Sequence, residues 1–410
     1  MTVLRIDDPD AGYPGAPVKP LARKPVRRWA FNAAALGAAV GFVLWFGWAV
    51  HAALARKGIY FSFDFLWNSA GVDLSEGWTF AWRGWLPTFE SFSSGDTNAQ
   101  ALVVGLVNTL KVAIVAIVLS TIVGTLVGVG RLSTNWLVRQ LSFGLVEVVR
   151  NTPLLIQIVF WYFAVVLQFP PASTAANMFG LVIASQSGVF LPFVAVSETT
   201  TGVASAALAA GIAALLVALL VALSGGLFDT GRIVKRGALA LAAVLLAVSI
   251  VAGFPLIPNL PVVTRFGARG GLPLSPELTA LLLAIVVNSS AYVAEIVRGA
   301  IDALPKGQWE AAAALGLSRS STLQEIVLPQ VFRVVLPSLG NRYISLMKDT
   351  SLGITIGYPD LFNVYGTVSN QTGRNLEGVL IVMVTYLVLS WLISSVVNLL
   401  NRRITGGTTR

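Results

Sequence analysis

Apolar runs of about twenty residues, the length a helix needs to cross a bilayer, recur along the chain between basic or proline-rich breaks. From Trp29 to Ala55 there is no Lys, Arg, Asp or Glu, which predicts a first span. A long polar stretch precedes it and no clear cleavage site follows, so it reads as an uncleaved anchor. Further spans are predicted over Ala99–Gly130, from Pro153 to about Phe169, over Val203–Leu223, Gly237–Phe254, Glu277–Val297, Arg333–Pro359 and Val379–Leu400. Lys111 lies near the start of the second span, where its stem can snorkel to an interface. Pro153 suits a first helical turn, since its missing N–H is tolerated there. The Arg333–Pro359 segment is the least apolar and carries Arg342, Lys348 and Asp349.

The intervening stretches read differently. Residues 1–28 hold five prolines and six basic residues, the composition of a flexible tail. Residues 56–98 place Trp78, Trp82 and Trp85 at helical spacing among acidic residues, as an interfacial segment does; a structured loop is the alternative. Residues 132–150 read as an amphipathic segment, 172–202 and 255–275 as loops, and 298–332 as a polar loop. Gly225-Gly226 with Arg232, Lys235 and Arg236 forms a turn. The pair of alanine-rich spans at 203–256 looks like a hairpin inserted between a first core part, 99–202, and a second, 257–403. The anchor and interfacial segment occupy 29–98, and 404–410 is a tail. The expected fold is an all-α polytopic membrane protein with about eight transmembrane helices.

Composition sharpens this class. Hydrophobic residues make up 55% and charged residues 11% of the 410 residues, against about 25% charged in soluble domains, and mean hydropathy is +0.77. A soluble enzyme and a disordered chain are excluded. There is no cysteine and one histidine, His51, in an apolar run, so thiolate chemistry is excluded and a catalytic triad is disfavoured. The net charge of +9 is spread between apolar segments, which points to membrane loops and not to nucleic acid. Lys and Arg concentrate in the tail, the 131–139, 224–236 and 298–332 loops and the C-terminus, so both termini are expected to be cytoplasmic.

The loop Leu304-Pro-Lys-Gly-Gln-Trp-Glu-Ala-Ala-Ala-Ala-Leu-Gly316, continuing to Ile326-Val-Leu-Pro329, carries the most information. It predicts a short helix after Pro305 that stops at Gly316, then a second helix with Thr322 and Glu325 spaced as a capping box. The alanine run leaves a smooth face that another backbone can approach closely, although alone it would be an ordinary helix of good formers.

Glu310-Ala311-Ala312, three residues, Gly316, nine residues, Ile326-X-Leu328-Pro329 resembles the signature cytoplasmic EAA loop of ABC importer permeases. Ala291-Tyr-Val-Ala-Glu-Ile-Val-Arg-Gly-Ala-Ile301, Gly307-Gln308, Arg150-Asn-Thr-Pro-Leu-Leu-Ile-Gln157 and Lys348-Asp-Thr-Ser-Leu352 resemble the polar amino-acid permeases. The long N-terminal region and the inserted hairpin are similar to the larger permease subunit of general L-amino-acid importers. The resemblance implies a type I importer core and a coupling helix that docks on a separate nucleotide-binding ATPase. It also implies a second, distinct permease subunit, a periplasmic amino-acid-binding protein and residence in a bacterial inner membrane. None of the seven lysines precedes Ser or Thr, so the chain has no Walker A loop. The chain cannot then be the ATPase, and the resemblance implies a transport subunit that is no enzyme and binds no cofactor, with ATP and Mg²⁺ on the partner. Glu310, Ala311, Ala312, Gly316, Ile326, Leu328 and Pro329 are the expected coupling residues.

A zwitterionic substrate needs donors or cations facing acceptors or anions, and charges within spans are functional candidates. The candidates for substrate contact are Asn288, Ser289, Tyr292, Glu295, Arg298, Lys348, Asp349, Thr350 and Ser351. The competing structural expectation is that Lys348–Asp349 and Glu295–Arg298 are ion pairs holding helices together. A secondary transporter or channel working without an ATPase is the alternative function class; the intramembrane charges permit it and the docking loop argues against it.

Overall fold

A computed structural model describes residues 25–56, 58, 61–83, 86–171, 174–178, 180–196, 202–223, 231–253, 255–264, 267–318 and 321–405. The 1–24 part of the expected tail, the 224–230 turn and residues 406–410 lie outside it. The chain divides into a unit ending at Phe63 and one beginning at Asp64.

The first unit holds α1 (Pro25–Arg56). Its large side chains, Phe31, Phe42, Trp45 and Trp48 among them, are exposed on every side, as lipid demands of an apolar helix.

The second unit opens with a correction. The tryptophan segment is not helical: β1 (Trp78–Arg83) pairs antiparallel with β2 (Leu86–Ser91), Trp78 opposite Ser91. The aromatic and β-branched content of Trp78-Thr79-Phe80 suits a pleated strand, and this outweighs the four-residue tryptophan spacing. Trp85 lies outside the described residues. Thr97 and Gln100 then form a reciprocal capping box that starts α2 (Asn98–Arg131). Lys111 does not simply snorkel: its Nζ reaches Glu76 at 3.0 Å.

The α2 helix packs along α7 (Pro276–Asp302) through a stripe of buried small residues, Ala116, Ser120, Gly124 and Gly128. A Cβ at Gly124 would lie 2.5 Å from the Val293 Cβ, and one at Gly128 2.7 Å from the Ala294 carbonyl oxygen. Small residues four apart let two membrane helices approach to backbone contact. This seam is the frame on which the site is built.

Helix α3 (Trp136–Asn151) meets α4 (Leu154–Val159) at a 104° bend. Thr152 is extended, as a residue before proline prefers, and Pro153 stands directly ahead of α4. The break strands carbonyls at the end of α3. Gln157 repairs this: its buried amide donates to Val149 O and Thr152 O, both at 2.9 Å. After α4 the chain continues through a wider π-type turn over Phe160–Val165 and a tighter one over Val166–Gln168.

Helices α5 (Gly202–Leu223) and α6 (Gly231–Val251) pack chiefly on each other, with Ala204, Ala207, Ala214, Ala218 and Ala242 buried and Ser249 Oγ donating to Ala204 O at 2.9 Å. The two expected loops at their ends are not irregular. They form β3 (Ala176–Met178), β4 (Val182–Ser185), β5 (Gly188–Leu191), β6 (Phe193–Val196), β7 (Leu256–Asn259), β8 (Val262–Thr264), β9 (Gly267–Arg269) and β10 (Leu272–Leu274). β10 pairs with β5 and β7 with β6, so the strands before and after the hairpin zip across its base. The all-α expectation is therefore corrected to a mostly helical chain with a small β collar: short segments rich in Val, Ile and Phe between turns satisfy their backbone by pairing.

Helix α8 (Lys306–Ala314) and a π-type turn over Thr322–Val327 lead into α9 (Leu328–Asp349). The 298–332 loop is thus largely helical, since α7 runs on to Asp302. A tight turn, Thr350–Ile356, then α10 (Leu361–Thr372) and α11 (Asn375–Thr405) complete the chain. Among the described residues, five helices are long and apolar enough to cross a membrane, α1, α2, α6, α7 and α11, and six if the bent α3–α4 pair is one span.

Candidate functional site: an exposed elbow and a polar cavity

The elbow is built as its sequence predicts. Gly316 has φ +72°, the left-handed conformation that favours glycine after a helix. Its N–H donates to Ala313 O at 3.0 Å and the Leu317 N–H to Ala312 O at 3.1 Å, the paired bonds of a Schellman stop. Trp309 and Leu304 anchor α8 to a buried cluster of Val293, Val297, Ala300, Val327 and Val331, and Gln330 donates to Gln308 at 3.2 Å. Ala312 is buried, so it packs inward. Glu310, Ala311, Ala313, Ala314 and Gly316 face out, and Leu315 is 78% exposed. Glu310 makes no hydrogen bond or ion pair with any described residue, so it is not a local cap. Ile326, in the π-type turn, and Leu328 and Pro329, at the start of α9, are half-buried. The expected capping box is corrected: Thr322 is buried and donates to Ser318 O, and the Ser318 hydroxyl accepts the Ser321 N–H at 3.1 Å. Ser318 sits one turn earlier and takes the capping role.

The second feature is a cavity of about 320 Å³ where α3, α4, α7 and α9 meet, at the small end of ligand sites. Asn288 and Tyr292 come from α7, Arg342 and Asp349 from α9, and Arg150 and Thr152 from the α3–α4 bend. Arg342 donates to Asn288 Oδ1 at 3.0 Å, Ser289 Oγ at 2.8 Å and Asp349 at 3.4 Å. Its guanidinium lies 4.4 Å from the centre of the Tyr292 ring, a cation–π contact. Charge, ring and hydrogen bonds thus fix one cation on the wall. Of the expected substrate residues, Asn288, Tyr292 and Asp349 line the cavity, with Ser289 bonded to its Arg342.

The others are elsewhere. Lys348 and Ser351 line a separate, mostly apolar groove of about 580 Å³ beside α10 and α11. The expected Lys348–Asp349 pair is corrected to Arg342–Asp349, because residues adjacent on a helix point about 100° apart, whereas residues seven apart share a face. Thr350 and Ser351 donate to their own helix, at Met347 O and Lys348 O. Glu295 does pair with Arg298, as the structural expectation has it, and also binds Arg131; Arg150 stands 3.6 Å away. Glu295 therefore ties the ends of α2 and α3 to α7, next to the elbow. Arg150 was not among the expected substrate residues. The signal was its place immediately before Asn-Thr-Pro: the bend that proline imposes turns that position into the cavity.

The chain is mostly helical and multi-pass, with an exposed elbow between α7 and α9. The family of binding-protein-dependent transport system inner membrane components matches residues 116–406, and the chain belongs to it. It is similar to YhdX of Escherichia coli (strain K12), which carries the name of an amino-acid ABC transporter permease protein, at 38% identity over 92% of this chain and 94% of that one. The general L-amino acid transport system permease protein AapQ of Rhizobium johnstonii is 37% identical over 89% and 88%. The glutamate/glutamine/aspartate/asparagine transport system permease protein BztB of Rhodobacter capsulatus is 34% identical over 86% and 87%. A crystal structure of an amino acid ABC transporter with histidines covers 74% of this chain and 94% of that one, at 22% identity and TM-score 0.45. The chain is a membrane permease subunit.

Proposed function

We propose that this permease carries polar L-amino acids inward by alternating access, driven by a separate ATPase. The three similar permeases are named for amino-acid transport, which supports the substrate class. The observation that carries the coupling is the outward face of α8: Glu310, Ala311 and Leu315 are exposed, while Trp309 and the Schellman stop hold the elbow rigid. An exposed leucine beside small residues and an unpaired carboxylate suits insertion into a groove on another protein. ATP and Mg²⁺ are held by that partner. A distinct second permease and a periplasmic amino-acid-binding protein complete the assembly in a bacterial inner membrane. Closure of the ATPase moves the elbow, and α7 and α9, joined to it at either side, transmit the motion to the cavity as rigid elements.

Adding α5 and the α9 segment to the six gives the proposed eight spans, and the basic loops support a cytoplasmic side for both termini and α8. Substrate passes through the cavity lined by Asn288, Tyr292, Arg342 and Asp349. The test is ATP hydrolysis and uptake by the reconstituted transporter. Glu310→Lys and Gly316→Val should lower uptake about tenfold or more while the subunit remains inserted, because one reverses a docking charge and the other strains the left-handed turn. Wild-type uptake in both variants removes the coupling role.

A further inference from the structure

Two arginines line the polar cavity, and they are held differently. The Arg342 guanidinium is committed to Asn288, Ser289, Asp349 and the Tyr292 face. Arg150 makes no hydrogen bond to any described residue. Its one ionic contact is to Glu295 Oε2 at 3.6 Å, longer than a hydrogen bond. That same oxygen is taken by Arg131, and the other oxygen of Glu295 by Arg298. Glu295 is therefore already matched, and Arg150 is the surplus cation. It rests over the Tyr292 ring, 5.5 Å from the centre, on its way into the cavity.

We infer that Arg150 is the residue that reads the α-carboxylate of the substrate, with Asp349 facing the α-ammonium. This rests on the reading of the cavity as the substrate path and deepens it. Of the charges lining the cavity, Arg150, Arg342 and Asp349, only Arg150 has no opposite charge within hydrogen-bond distance. An incoming carboxylate supplies the missing anion, and a guanidinium binds it through two parallel N–H groups. An ester or amide at the same position offers no charge and leaves Arg150 unmatched. The site is therefore selective for a free α-carboxylate. Because Arg150 also approaches Glu295, its capture by substrate removes its 3.6 Å contact to the cluster that joins α2, α3 and α7.

The experiment is direct binding to the intact permease–ATPase assembly in lipid nanodiscs, without the binding protein, with L-glutamine and its α-amide as probes. Wild type should bind L-glutamine about tenfold or more tightly than the amide. Arg150→Gln should abolish that preference, and Arg150→Lys, which keeps the charge without the fork, should restore it in part. A merely structural arginine would change both affinities together and leave their ratio intact. If Arg150→Gln fails to assemble, the ratio in Arg150→Lys decides: an undiminished preference overturns the assignment. If Asn288→Ala weakens glutamine binding while the Arg150 variants retain the full preference, the cavity reading stands and the role of Arg150 falls. If wild type binds neither probe, or no cavity variant alters binding, both fall.

Discussion

At the scale of single residues, the molecule spends its buried polar groups on repairing breaks. Gln157 is the clearest example, since its amide bridges the carbonyls that Pro153 leaves open. Gln157→Leu keeps the volume and removes both donors, so Thr152 O loses its side-chain partner and Val149 O keeps only the Thr152 N–H at 3.4 Å. The expected cost is about 1–3 kcal/mol, read as a lower thermal midpoint of the detergent-solubilised protein; an unchanged midpoint means that water or lipid serves those carbonyls equally well. The sequence pattern Arg-Asn-Thr-Pro-Leu-Leu-Ile-Gln marked the place, but a hydrogen bond across four residues and a right-angled turn is not visible in a linear pattern. Lys348 and Asp349 show the converse. Adjacency suggested a pair, whereas helical geometry sends one to an apolar groove and the other to Arg342.

At the scale of elements, the seam between α2 and α7 sets everything else. Gly124 and Gly128 have no room for a Cβ against Val293 and Ala294. Gly124→Val should force the helices apart at a cost of about 1–3 kcal/mol or more, and its signature is reduced recovery of folded protein at normal expression. Recovery equal to wild type would mean that α7 can shift without loss. The long helices were legible because sustained apolar runs have few other solutions: α2 matches its expected span to one residue at each end, and α7 starts one residue early and runs five beyond. The elbow was legible because Pro305 and Gly316 punctuate it chemically. The β collar was not. Its strands are only three or four residues long, and β10 meets β5 across more than eighty intervening residues, a pairing that local pattern cannot reveal. The β1–β2 hairpin fits the structured-loop alternative, because a spacing of four is compatible with a strand, where side chains repeat every second residue, as well as with a helix.

At the scale of the whole molecule, the α8 elbow and the cavity lie at opposite ends of one rigid connection through α7 and α9, with the Glu295 cluster between them. On the function proposed above, work done on the elbow reaches the polar cavity through this connection. The chain contains no cysteine, so a single introduced thiol is its only one. Leu315 is the natural position, as it is the most exposed large hydrophobic side chain among the described residues of the elbow. Cross-linking of the Leu315→Cys permease in intact membranes is the most direct measurement. The thiol should cross-link to the ATPase subunit and resist a membrane-impermeant thiol reagent added from outside. Labelling from the external face, with no cross-link to an ATPase, would contradict the account at its centre.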